Sequence, residues 1–259
     1  MKEEKNLEQE EEKRKDDLGE MTLTEHLAEL RKRLINSFIA ILIGFAISYH
    51  FSEDIYWVLI DPLIKVLPPK NGKMVFLTLT EPFITYLKVA LVSGLFLASP
   101  VIFWEIWKFI APGLYPHERK YVIPFVVSAT FFFIGGAFFG YFIVFPFAFK
   151  FFVSFANQTI VPSLSMGKYF SFATRMLLAF GIIFELPLIT LFLARLGIIT
   201  KEMLSRWRKY AVVVIFTVSA ILTPPDVMSQ IMMAIPLLIL YEISVIIAGI
   251  FGRKKKTSD

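Results

Sequence analysis

Apolar residues in this chain come in long runs rather than at a period of two or 3.6. After a polar opening stretch, six such runs lie at about 34–51, 83–107, 122–149, 169–194, 210–222 and 231–251. A helix rises about 1.5 Å per residue, and the hydrocarbon of a bilayer is about 30 Å thick. The first four runs, of 18, 25, 28 and 26 residues, are each expected to cross, the first only just. The fifth has 13 residues, a reach of about 20 Å. The sixth has 21 residues and is interrupted by Pro236 and Glu242. The last two spans are therefore expected to be short, and either to stop before crossing or to thin the bilayer around them. The pattern predicts an all-α integral membrane protein with six transmembrane helices.

The polar stretches between the runs set a direction. Basic residues flank alternate boundaries: Arg31, Lys32 and Arg33 before the first run, Lys108, Arg119 and Lys120 after the second, five more between the fourth and fifth, and Arg253 to Lys256 at the end. One side of the membrane collects 15 basic residues and the other 5. Positive charge favours the cytoplasmic side, so both termini are expected there, an N-in, C-in topology. Trp104, Trp107 and Trp207 fall near the expected cytoplasmic boundaries and Trp57 near the outer one, as interfacial anchors do. The outer segment from Ser52 to Pro62 reads as a short amphipathic helix lying on the membrane surface. Thr223-Pro224-Pro225-Asp226 reads as a tight turn between the last two spans.

Three domains follow: a charged N-terminal tail at 1–20, expected to be disordered because it is almost devoid of apolar residues; a transmembrane domain at 21–251; and a basic cytoplasmic tail at 252–259. The acidic opening does not have the make-up of a secretory signal peptide.

Composition narrows the classes. Of 259 residues, 56% are hydrophobic and only 19% charged, below the roughly 25% of a soluble domain, which argues against a soluble enzyme. Cysteine is absent, which removes thiol chemistry and thiolate metal sites. His26, His50 and His117 stand on unrelated segments, so neither a metal nor another cofactor is expected. No nucleotide-binding or nucleophile motif occurs, and the basic runs sit at membrane edges rather than forming a nucleic-acid site.

The charges that need a reason are few. Glu185 stands inside the fourth run beside Pro187, and an intramembrane carboxyl marks a functional point unless it serves only helix packing. Glu29 and Glu118 lie on the same expected membrane face, where two carboxylates can hold an arginine-rich ligand through bidentate pairs. Thr223, Asp226 and Gln230 cluster at the outer end of the last hairpin. There a capped turn accounts for the first two, and Gln230 offers an interhelical hydrogen bond.

Several segments resemble one family closely, the TatC subunit of the twin-arginine (Sec-independent) protein translocase. They are His26-Leu-Ala-Glu-Leu-Arg-Lys-Arg-Leu and Ser99-Pro-Val-Ile-Phe-Trp-Glu-Ile-Trp-Lys-Phe-Ile-Ala-Pro-Gly-Leu-Tyr-Pro-His-Glu-Arg-Lys, then Ala179-Phe-Gly-Ile-Ile-Phe-Glu-Leu-Pro, Leu222-Thr-Pro-Pro-Asp-Val-Met-Ser-Gln and Ala234-Ile-Pro-Leu-Leu-Ile-Leu-Tyr-Glu-Ile. The likeness covers about 21–251. Trp104-Glu105 departs from the Tyr-Gln of many members and adds a charge beside the ligand site.

The resemblance implies a cupped helical bundle that acts as the receptor core of a translocase moving folded proteins on the proton-motive force. It implies signal-peptide binding by Glu29 and Glu118, with Arg31 and His117 nearby. It implies Glu185 as the polar residue of an intramembrane groove, and Thr223, Asp226 and Gln230 as a docking region for single-span TatA- and TatB-type subunits. It further implies homo-oligomers in the active complex and a place in the cell inner membrane. Two other classes stand beside this reading. A proton-coupled small-solute transporter working through Glu185 lacks a visible internal repeat, and an intramembrane enzyme lacks a nucleophile with its base.

Overall fold

The computed structural model describes residues 23–67, 74–110, 122–156, 163–223 and 226–252. The tail 1–20, nearly all of the basic tail, and the loop carrying His117 and Glu118 lie outside the described residues. The described chain is helical apart from one short ladder. Its helices are α1 (Leu23–His50), α2 (Ser52–Ile64), α3 (Glu81–Ile110), α4 (Val122–Phe139), α5 (Phe145–Val153), α6 (Met166–Phe184), α7 (Leu186–Arg195), α8 (Lys201–Leu222) and α9 (Val227–Phe251).

Local chemistry explains the breaks. The chain turns by 81° between α1 and α2, so α2 runs across the end of the bundle as the sequence suggests. Pro62 has no amide proton to return to the carbonyl four residues back, Val58. Tyr141 donates its phenol to that carbonyl at 2.5 Å, and Tyr169 donates to the carbonyl of Leu59 at 2.5 Å, which pins α2 to the bundle. Residues 122–153 form one continuous span in which the Phe145 amide reaches five residues back to Gly140, a π-turn just before Pro146. Gly197, at φ +76°, ends α7: its own amide bonds the Ala194 carbonyl and that of Ile198 bonds Leu193. Thr200 then caps α8.

Among the described residues, four stretches (81–110, 122–153, 166–195 and 227–251) have the length and apolarity to cross a bilayer, and α1 with α2 supplies a fifth as a bent pair. Helix α8 has 22 residues, but its first ten include Lys201, Glu202, Arg206, Arg208 and Lys209, so its apolar reach is short. Helix α9, with 25 residues, is long enough to cross, so the expected shortness falls on α8 alone.

Helix α1 packs along α3, α4 along α6, and α9 against both α7 and α8. The core joins Tyr56 and Ile60 of α2 to Phe145, Phe170, Phe180 and Met233. Large apolar side chains also point outward, Phe131 with 73% of its surface exposed, which suits a lipid-facing wall. Trp57 and Trp207 are exposed as anchors should be. Trp107 is instead buried, stacked on Phe125 at 4.3 Å, so it serves packing rather than the interface. Strands β1 (Met74–Val75) and β2 (Leu164–Ser165) pair in parallel and tie together the two loops at the α2 end of the bundle.

Candidate functional site

The charged site begins with two glycines. A β-carbon on Gly44 of α1 would lie 2.4 Å from the Gly94 carbonyl oxygen of α3, so only glycine lets these antiparallel backbones come this close. Arg33 lies eleven residues before Gly44, and Glu105 eleven residues after Gly94. Eleven residues are about three helical turns, which returns each side chain to the contact face.

Arg33 and Glu105 do meet, Nη1 to Oε2 at 3.0 Å, with side chains only 19% and 8% exposed. On its other side the Arg33 guanidinium donates to Glu29 Oε1 at 2.5 Å. Asn36 donates to the same Glu105 oxygen at 3.3 Å, and Lys108 stands 3.9 Å from the other. His26 stacks on Phe109 at 4.4 Å and closes the end of the helix pair. The cluster thus holds one guanidinium between two carboxylates at the end of the bundle that carries the α1 and α3 basic flanks. Removing Arg33 would leave the buried Glu105 with only Asn36 and the more distant Lys108, whereas removing Glu105 would leave Arg33 held by Glu29 alone.

Glu29 is therefore engaged by a guanidinium, while Arg31 is exposed. Glu118 and His117 lie outside the described residues. Arg33 and Glu105 enter the sequence reading only as a basic flank and as a departure from a motif, not as members of the site. The signal that finds them is the common eleven-residue offset from a glycine on each helix.

Glu185 occupies the break between α6 and α7, with Pro187 in the first turn of α7. It is buried, and its Oε1 has no hydrogen-bond partner among the described residues. Nearby, α4 and α6 approach closely: a β-carbon on Gly136 would lie 2.4 Å from the Phe180 carbonyl oxygen. Among the described residues Glu185 forms no hydrogen bond or ion pair with the Arg33 cluster, so the two are separate polar points.

The third expected set is brought together by the α8–α9 hairpin and used there. Thr223 donates its hydroxyl to the Ser219 carbonyl at 2.8 Å. Asp226 caps α9, accepting from the Ser229 amide at 2.7 Å. Gln230 donates to the Phe216 carbonyl at 2.9 Å, fastening α9 to α8. At the other end of the same hairpin Arg208 grips Glu242 with two nitrogens, each at 2.8 Å.

A bundle of apolar helices, walled by exposed aromatics and carrying a guanidinium–carboxylate cluster at one end, defines a multi-pass membrane protein. Residues 25–236 match the family model of the Sec-independent protein translocase protein (TatC). The chain is 52% identical over 236 residues to the TatC of Desulforapulum autotrophicum, covering 91% of this chain and 87% of that one. It is 44% identical over 238 residues to the TatC of Aquifex aeolicus, covering 91% and 98%. A crystal structure of the twin-arginine translocase receptor TatC superposes with a TM-score of 0.79 at 42% identity, covering 86% of this chain and 98% of that chain. A second, in the detergent DDM, gives 0.80 at 42% identity, with 87% and 100% covered. The chain belongs to the TatC family, a component of the Sec-independent protein translocase.

Proposed function

We propose that this chain is the signal-peptide receptor of its translocase and that Glu29, together with Glu118, receives the paired arginines of the signal. The observation that carries the proposal is that the Glu29 carboxylate already holds a guanidinium, that of Arg33, at 2.5 Å. Two carboxylates on one guanidinium form a site that can exchange one arginine for another. If an incoming arginine takes Glu29, Arg33 keeps its pair with Glu105, so no buried charge is left bare. Lysine offers a point charge in place of a planar fork and would make a poorer replacement. Arg31 and His117 belong to the same motifs and would flank the ligand.

The excess of basic flanks at this end supports a cytoplasmic placement for it and for both termini, in the cell inner membrane. Glu185, buried with an unpartnered oxygen, would be the polar point of a lateral groove open to a partner helix. The α8–α9 hairpin end at Thr223, Asp226 and Gln230 would dock TatA- and TatB-type single-span subunits. Because those side chains already serve the hairpin, docking there would depend on its fixed shape. The short apolar reach of α8 would thin the bilayer beside that docking point. Within a homo-oligomeric assembly, transport of folded cargo would draw on the proton-motive force, with no cofactor in this chain.

The test is capture of a twin-arginine signal peptide by the reconstituted chain, with a twin-lysine peptide as control. Glu29→Ala and Glu118→Ala together are expected to abolish capture. Undiminished capture by the double variant would contradict the assignment.

A further inference from the structure

The end of the bundle opposite Arg33 and Glu105 holds a cavity of about 820 Å³ between α3, α6 and the end of α8. Its lining includes Glu81, Thr85 and Lys88 on α3 and Lys168, Ser171 and Arg175 on α6. Each trio follows a spacing of three or four and then seven residues, so each helix turns one continuous stripe toward the same space.

Three of these residues are cations and one is an anion, but the anion is already satisfied. Glu81 accepts from the Leu77 amide at 2.5 Å, from the Gly167 amide at 2.7 Å and from the Ser165 hydroxyl. These bonds tie the start of α3 to the start of α6 and leave Glu81 little capacity for the lysines. Lys88, Lys168 and Arg175 are exposed to the cavity, and the charged group of none of them has a hydrogen bond or ion pair among the described residues.

Two of the cations also lie well inside their helices. Lys88 is seven residues into α3, about 10 Å from its start, and Arg175 is nine residues into α6, about 13 Å. A cation within an apolar spanning helix is costly unless water or an anion reaches it. Ile84, Phe172 and Leu222 give the same cavity an apolar wall. A ligand with an anionic head and a hydrocarbon body satisfies both surfaces.

We propose that this cavity is a phospholipid site, with the phosphate of one headgroup held among Lys88, Lys168 and Arg175 and the acyl chains leaving along the apolar wall. The lipid then supplies the counter-charge that the lining of this cavity lacks. The proposal is independent of signal-peptide binding and is tested apart from it.

The experiment uses the full chain purified in detergent and stripped of lipid. Native mass spectrometry follows retention of phosphatidylglycerol, with diacylglycerol as the body without the phosphate and glycerol phosphate as the phosphate without the body. One phosphatidylglycerol per chain is expected to persist, and diacylglycerol is expected to be lost. Millimolar glycerol phosphate is expected neither to bind stably nor to displace the lipid.

Each single change, K88Q, K168Q or R175Q, is expected to weaken retention about fivefold and the triple change about 100-fold. R175K, which keeps the charge, is expected to stay near the parent, and K65Q, an exposed lysine elsewhere, to match it. Melting in lipid-free detergent is expected to be unchanged across the set, which separates lost binding from lost folding. Equal retention by the triple variant would overturn the site. Binding of glycerol phosphate as tight as that of the lipid would overturn the lipid as its occupant.

Discussion

The two ends of the bundle handle charge in opposite ways. At one end the Gly44–Gly94 contact brings α1 and α3 together, and Arg33 sits between Glu29 and Glu105, so the charges balance inside the chain. At the other end Glu81 is saturated by Leu77, Ser165 and Gly167, and three cations are left facing a cavity. A balanced cluster can exchange one of its members for an outside group of the same chemistry. An unbalanced one has to recruit the opposite charge. The first end is suited to receiving guanidinium groups and the second to holding an anion.

The comparison is broken most severely by Arg33→Ala. Glu105 would stay buried without its guanidinium, at a cost of about 3–5 kcal/mol in stability, measured by denaturant unfolding in detergent. The double change Arg33→Met with Glu105→Leu should recover most of that loss, because it removes both buried charges at once. Next comes Gly44→Val, whose β-carbon meets the Gly94 carbonyl. It should cost about 1–3 kcal/mol and lower signal capture, because α1 and α3 must separate and carry Arg33 away from Glu105.

Asp226→Ala removes the cap of α9 and should cost about 1 kcal/mol, without removing a member of either charged group. The smallest effect should come from Arg208→Lys. Its pair with Glu242 is half exposed, and the change should stay within about 1 kcal/mol by the same unfolding measurement.

The spans were legible in the sequence because lipid imposes a length and an apolarity that each run must meet on its own. Helix starts were less so: α8 begins at Lys201, nine residues before its apolar run, because Thr200 caps it and polar residues remain helical outside the hydrocarbon. The π-turn at Gly140 and the docking of α2 by Tyr141 and Tyr169 depend on contacts across the fold, which periodicity does not encode. Glu29 was legible as a candidate by its place beside a basic flank. Glu105 stood out only as a departure from a motif, and its role emerges when the glycines set the register of α1 on α3. The three cations of the opposite cavity were legible as residues but not as a group, since Lys88 and Lys168 lie eighty residues apart in the chain.

The central claim is that Glu29 exchanges Arg33 for an arginine of the signal. It is tested most directly by the affinities of twin-arginine and twin-lysine peptides for the chain in nanodiscs, read by fluorescence anisotropy for the parent and for Glu29→Gln. The account predicts that the parent prefers arginine and that Glu29→Gln loses about tenfold or more of that preference. A preference for arginine that survives Glu29→Gln intact would contradict it.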